Sequence, residues 1–317
     1  MFDIKNEVLT AEKSIRQYIR ETPLDYSIAL SRESGINLFL KCENLQYTGS
    51  FKVRGAFNKL LSLNAAQRAQ GVVTASSGNH GAAVAFAMKE LDMQGVVFVP
   101  ENAASTKIEN IRNYTNNLQF YGTDCMHAEM RALEYAKQHN MVYVSPYNDP
   151  AVIAGQGTIG LELFYQLETC DAVFVPIGGG GLIAGIAGYL KAMNPEVKII
   201  GCLPENSPVM AESITAGHII EMETLPTLSD ATAGGIEPGA ITFDICQQLV
   251  DEYILVSENE IKNAIIRMIK TQHLLIEGAS GVALAAVLKS ANKFQGKNVV
   301  AVMSGGNISL DTLKSII

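Results

Sequence analysis

Two spacings of apolar residues alternate along the chain. Nine short runs, NLFLKC, GVVTAS, GVVFVP, LQFYG, MVYVSP, AVFVPI, VKIIGCL, EYILVS and NVVAVMS, have the length and β-branched content of strands. Between them, stretches such as AAVAFAMKEL, DCMHAEMRALEYAKQH and NEIKNAIIRMIKTQ place apolar residues three and four apart, the pattern of amphipathic helices. Strands that are almost wholly apolar and are separated by helices specify mainly parallel sheets covered by helices on both faces. The expected fold class is therefore α/β.

A chain of 317 residues is long enough for about two domains with a substantial core. Its 48% hydrophobic and 18% charged residues place it among ordered globular proteins. The net charge of −8 argues against nucleic acid or an anionic membrane surface as partner. One uncharged segment, Ala172 to Leu190, approaches the length of a membrane span. Pro176 and four successive glycines interrupt it, so it reads as strand, tight turn and helix, and no membrane partner is expected. The five cysteines are scattered, odd in number and free of any CxxC, which suits reduced thiols in a cytoplasmic protein. The first residues contain no apolar signal-peptide core.

Candidate chemistry gathers at loops. In α/β folds ligands bind beyond the carboxyl ends of strands, and three such loops are unusual: TASSGNHGAAV, PIGGGGLIAG and VMSGGNISL. Gly178 to Gly181 can direct several backbone N–H groups at one anion beside a helix N-terminus, and a phosphate suits them. The alternatives are a turn with no ligand, or a dinucleotide site, since Gly179 to Ala184 fits GxGxxA and Glu205 follows the next strand. Ser76 to Gly81 form another anion-accepting helix start, unless Ser77 or Asn79 merely caps that helix. His80 reads as a support for the loop, and no histidine spacing suggests a metal. In TGSFKVRGAF, Ser50 reads as an N-cap, which puts Lys52 in a first helical turn where the macrodipole disfavours a cation. With Arg54 close by, and more so if buried, the Lys52 amine should lose its proton readily. A neutral amine attacks aldehydes, and the aldehyde that also needs a phosphate cradle is pyridoxal 5′-phosphate.

KCENLQYTGSFKVRGAF, SSGNHG, AGQGT, GGGG and SGGN, in this order, resemble the fold-type II pyridoxal-phosphate enzymes, which are tryptophan synthase β-like. Within them the chain is similar to the serine/threonine dehydratase and serine racemase branch. The resemblance implies two domains, each with a mainly parallel sheet covered by helices. A large cofactor domain would comprise 1–68 and 147–317, and a small substrate-closing domain 69–146. It implies that Lys52 is the Schiff-base lysine and moves the Cα proton, with Phe51 packed on the cofactor. Asn79 would bond the cofactor's 3′-oxygen, Gly178, Gly179, Gly180 and Gly181 its phosphate, and Ser304 its pyridine nitrogen. Gly234 would lie against it. Ser76, Ser77, Gly78, Asn79 and His80 would form the substrate-binding loop, with Ser77 able to reprotonate the opposite face.

A serine hydroxyl at the pyridine nitrogen makes the ring a weaker electron sink, which favours loss of a β-hydroxyl. The expected activity is that of a lyase, a threonine or serine dehydratase (ammonia-lyase) that converts a β-hydroxy amino acid to a 2-oxo acid and ammonia. Serine racemase is the nearest alternative, and an NAD-dependent oxidoreductase a more distant one. A racemase-like metal site is not expected, since Leu203 and Val209 stand at the carboxylate positions. Glu237, in LSDATAGGIEPGAITFD, is expected close to the pocket, where it would disfavour β-carboxylated substrates. The partner is a small amino acid, and the family's usual state is a homodimer.

Overall fold

The computed structural model describes residues 2–115 and 117–317. All nine apolar runs form strands, and a tenth precedes them. In chain order they are β1 (Leu24–Tyr26), β2 (Asn37–Lys41), β3 (Val72–Ala75), β4 (Gly95–Val99), β5 (Leu118–Phe120), β6 (Val142–Tyr143), β7 (Ala172–Pro176), β8 (Lys198–Pro204), β9 (Glu252–Val256) and β10 (Asn298–Val302). Strand β1 escapes the apolar pattern because Asp25 and Tyr26 are exposed. It pairs antiparallel with β2 at a sheet edge, where one face can meet water.

Two sheets result. One has six strands in the order β1-β2-β10-β7-β8-β9, the other four in the order β5-β4-β3-β6. Apart from the β1–β2 pair, the pairings are parallel. Helices cover both faces, and alternate side chains enter separate cores. Val173 and Val175 of β7 point to one cluster, Ala172 and Phe174 to the other. In β4, Val97 and Val99 enter one core, Val96 and Phe98 the opposite one.

Three helices, Pro150–Gln166, Gly181–Met193 and Gly278–Ser290, are buried along most of their length and carry many small residues. Pro150–Gln166 and Gly181–Met193 cross in backbone contact. A Cβ on Gly185 would lie 2.5 Å from Gly157 N. This crossing brings the AGQGT segment beside the helix that follows the glycine run. The uncharged segment is β7, a turn and the start of helix Gly181–Met193. Among the described residues no helix is long and apolar enough to cross a membrane.

Candidate active site

The carboxyl ends of β3, β7 and β10 and the start of helix Lys52–Ser62 face one cavity of about 540 Å³. Phe51 and Lys52, Ser76 to His80, Gly178 to Gly181, Gly234 and Ser304 all line it. Residues from four separate loops and turns and one helix start, spread from Phe51 to Ser304, therefore meet at one surface.

Helix Lys52–Ser62 begins differently from the sequence expectation. Ser50 does not cap it. Its backbone forms a bridge to Gly305, its hydroxyl is buried without a partner, and Phe51 N–H donates to Ser304 O at 3.1 Å. The N-cap position falls to Phe51, which has no capping oxygen. Pairing with the SGGN loop has taken Ser50 out of reach of that role. An acceptor comes instead from another helix: Gln156 Oε1 accepts Gly55 N–H at 3.2 Å. Glycine at position 55 permits this approach, since a Cβ would stand 2.4 Å from Gln156 Nε2 and displace that side chain.

Lys52 Nζ donates to Pro146 O at 2.8 Å and stands 5.2 Å from the Phe51 ring. No carboxylate among the described residues lies within 4.0 Å of it. Burial lowers its pKa to about 8, against the opposing field of Glu277. Arg54 plays no part in this, contrary to the sequence expectation. Its fully buried guanidinium donates to both oxygens of Glu43 at 2.8 Å, to Glu162 at 2.8 and 2.9 Å, and to Thr158 at 3.0 Å. Lys41 and Arg16 also reach Glu162. Burial works against the Glu162 charge, but Arg54 and Lys41 outweigh it and hold that carboxylate well below its usual range.

The loop after β3 leads into helix Asn79–Glu90, whose N-cap is Gly78, so neither Ser77 nor Asn79 caps it. Ser76 Oγ accepts Gly78 N–H at 3.1 Å, leaving the Ser77 hydroxyl on the cavity wall. His80 is buried, bonds Val144 O through Nε2 at 3.0 Å, and is held neutral by burial and by Lys52, with its pKa at about 3. It therefore supports the loop.

The glycine run fits an anionic group. Gly180 has φ +88°, and a Cβ on Gly179 would strike the Tyr147 ring at 2.4 Å. The N–H groups of Gly178, Gly179 and Gly180 find no acceptor among the described residues, and helix Gly181–Met193 starts beside them. Unsatisfied donors at a helix N-terminus are what a phosphate requires. Ser304, 1% exposed, is held only loosely, with Ser280 Oγ at 3.4 Å. The dinucleotide alternative loses its acidic residue, because Glu205 pairs with Lys289 at 3.5 Å and does not line the cavity.

Gly234 adopts φ +112° and donates its N–H to Ser207 Oγ at 3.3 Å. Glu237 lies beside the cavity without lining it. It is exposed and outside the cavity wall, and its N–H donates to the Tyr147 hydroxyl at 2.9 Å. The wall carboxylates are Asp230, Glu129 and Glu277, with Tyr143 donating to Glu129 at 2.9 Å. Sequence reading also missed Tyr147, which looks ordinary within SPYND. Glu277 carried a faint signal: it is the single charge between the apolar run LLI and the small residues GASG.

A family profile described as "Pyridoxal-phosphate dependent enzyme" matches residues 15–305. The chain is 41% identical to an L-threonine ammonia-lyase of Thermotoga maritima, over 98% of this chain and 77% of the relative. It is 39% identical to a catabolic L-threonine dehydratase of Escherichia coli strain K12, over 98% and 95%. Among solved structures, a processed threonine deaminase isoform of Solanum lycopersicum superposes with TM-score 0.95 and 34% identity, covering 99% of this chain and 92% of that one. Maize serine racemase gives TM-score 0.92 and 32% identity, covering 98% and 95%.

Proposed function

The chain belongs to the pyridoxal-phosphate-dependent enzymes, and from that premise we propose that it is a threonine/serine ammonia-lyase, converting L-threonine, L-serine or a related β-hydroxy amino acid to a 2-oxo acid and ammonia. One observation carries the reading: a lysine amine, stripped of ion-pair partners by its surroundings, opens on a cavity whose opposite loop offers unsatisfied N–H groups. The named relatives support the direction of the reaction.

When bound, pyridoxal phosphate supplies an electron sink for charge developing at the substrate Cα. Lys52 would hold its aldehyde, Gly178 to Gly181 its phosphate, Asn79 its 3′-oxygen and Ser304 its ring nitrogen, with Phe51 and Gly234 packed around it. Ser76, Ser77, Gly78, Asn79 and His80 frame the start of a helix, where N–H groups and hydroxyls suit a substrate carboxylate. Lys52 Nζ is the group to take the Cα proton, because an amine with a pKa of about 8 is partly neutral near neutral pH. The Tyr147 ring packs directly on Gly179 and backs the glycine run.

The unit of residues 69–146, which contains the four-stranded sheet, is the part that would close on the substrate. Five thiols outside disulfides support a cytoplasmic location, and the family's habit supports a homodimer. Racemisation of serine is a second reading, favoured by the Ser77 hydroxyl on the wall and by the likeness to maize serine racemase.

The test is the visible spectrum of purified protein and of Lys52→Ala, followed by assay of 2-oxo acid from L-threonine and L-serine. A cofactor band that depends on Lys52, with 2-oxo acid released, is the expected result. A band without 2-oxo acid, with D-serine formed, would favour the racemase. Absence of any band after addition of pyridoxal phosphate would overturn the reading.

A further inference from the structure

Glu277 is 3% exposed, yet it borders the cavity and belongs to none of the recognisable motifs. Both of its oxygens accept from Asn79 Nδ2, at 3.0 and 2.9 Å, and Oε2 also accepts Asn307 N–H at 3.3 Å. Asn307 Nδ2 donates in turn to Asn79 Oδ1 at 2.7 Å and to Thr48 O at 2.8 Å. The three residues close a ring of hydrogen bonds, with Asn307 contributing both its side chain and its backbone N–H. It joins the loop after β3, in the four-stranded sheet, to the loop after β10, in the six-stranded sheet, and to the segment that leads into Lys52.

The surroundings are built for this carboxylate. Glu277 N–H donates to Gly305 O at 3.0 Å, and a Cβ on Gly305 would lie 2.5 Å from Glu277 Oε1. The first glycine of SGGN is thus required by Glu277. Helix Gly278–Ser290 starts at the next residue, so its positive end favours the charged form. Burial opposes this and raises the Glu277 pKa to about 7, with Asn79 and Asn307 N–H acting against burial. The charged groups around it are Lys52 on the cavity wall and, at the mouth, Asp230 and Lys107, which pair with each other at 2.6 Å. His80 nearby is neutral.

We propose that Glu277 is a positioning residue of this active site: its carboxylate fixes Asn79, and with it the substrate loop of the four-stranded sheet, in register with Asn307 and Lys52. Its charge has a second consequence, since a carboxylate facing Lys52 favours the ammonium form of that amine. The inference rests on the cavity being a pyridoxal-phosphate site.

The experiment follows the uptake of pyridoxal phosphate by wild-type, Glu277→Gln and Glu277→Asp apoprotein across pH, together with kcat and KM for L-threonine and the melting temperature. Wild-type uptake should rise through a midpoint near 8. In Glu277→Gln the midpoint should fall by about one unit, as expected on removal of a nearby opposite charge. Glu277→Asp keeps the charge but shortens the reach to Asn79. Its midpoint should stay, while kcat falls about tenfold or more with a smaller change in KM. Variants that melt like wild type and share its midpoint and kcat would overturn the proposal. Should Glu277→Gln not fold, the kcat of Glu277→Asp decides. A wild-type protein that takes up no pyridoxal phosphate would instead refute the cofactor reading itself. Uptake without 2-oxo acid would refute the lyase reading, and the midpoint shift would still decide the role of Glu277.

Discussion

Lys52 and Arg54 stand two residues apart in the first turn of one helix, and the protein treats their charges in opposite ways. Arg54 is sealed from solvent but enclosed by Glu43, Glu162 and Thr158, and the two carboxylates outweigh burial and raise its pKa. Lys52 borders the cavity, bonds a single carbonyl, and has its pKa lowered to about 8. Enclosure penalises both cations, so the partners decide the outcome. The paired one anchors the helix. The unpaired one is left reactive.

That contrast can be broken most severely at Lys52. Lys52→Ala should lower kcat for 2-oxo acid formation by about 10⁴-fold, the upper range for loss of a positioned proton carrier. Circular dichroism should show the fold intact. Arg54→Met should do its damage in stability, leaving Glu43 and Glu162 buried without their main partner at a cost of about 3–5 kcal/mol in urea unfolding. Lys52→Met, measured in parallel, should cost the apoprotein no stability, because it removes an enclosed amine that has no carboxylate partner. Equal losses from the two methionine variants would erase the distinction.

A smaller effect is expected at Gln156. Gln156→Leu removes the acceptor of Gly55 N–H and should cost about 1–3 kcal/mol. The value should fall toward the low end, since Gln156 Nε2 is itself buried without a partner. Gln156→Glu, which retains an acceptor oxygen, should recover cofactor uptake better than Gln156→Leu if the bond to Gly55 is what matters.

A further effect sharpens the comparison through pH. The Lys52 pKa of about 8 in the fold lies below the ordinary lysine value of 10.5. The unfolded chain therefore binds the extra proton between these values, and stability from this group rises with pH across that window and is lost as pH falls through 8. The stability of wild-type apoprotein relative to Lys52→Met should accordingly improve from pH 8 to 10.5. A difference that stays flat would mean that Lys52 keeps an ordinary pKa.

Much of this was readable from the chain. Short continuous apolar runs located nine strands, because parallel strands buried on both faces must be apolar throughout, and period-3.6 patterns located the main amphipathic helices. Strand β1 was not readable, since an edge strand open to water needs no such pattern. Lys52, the glycine run, SSGNHG and SGGN stood out because each breaks a local preference or adds polar groups that a turn does not need. Glu277 and Tyr147 broke no local rule strongly enough.

What the sequence determined by itself was the fold class, the loops where chemistry gathers, and the residue types available there. These follow from interactions between near neighbours: side-chain periodicity, turn preferences and helix ends. The tertiary structure alone decided which partner each group received. Ser50 lost its expected capping role to a bridge with Gly305, and Gln156, 101 residues away from Gly55, supplied an acceptor. Arg54 went to Glu162, 108 positions distant, and so left Lys52 without a neighbouring charge to account for its shift. Electrostatic state depends on burial and on the nearest opposite charge in space, and both are set only when the sheets pack.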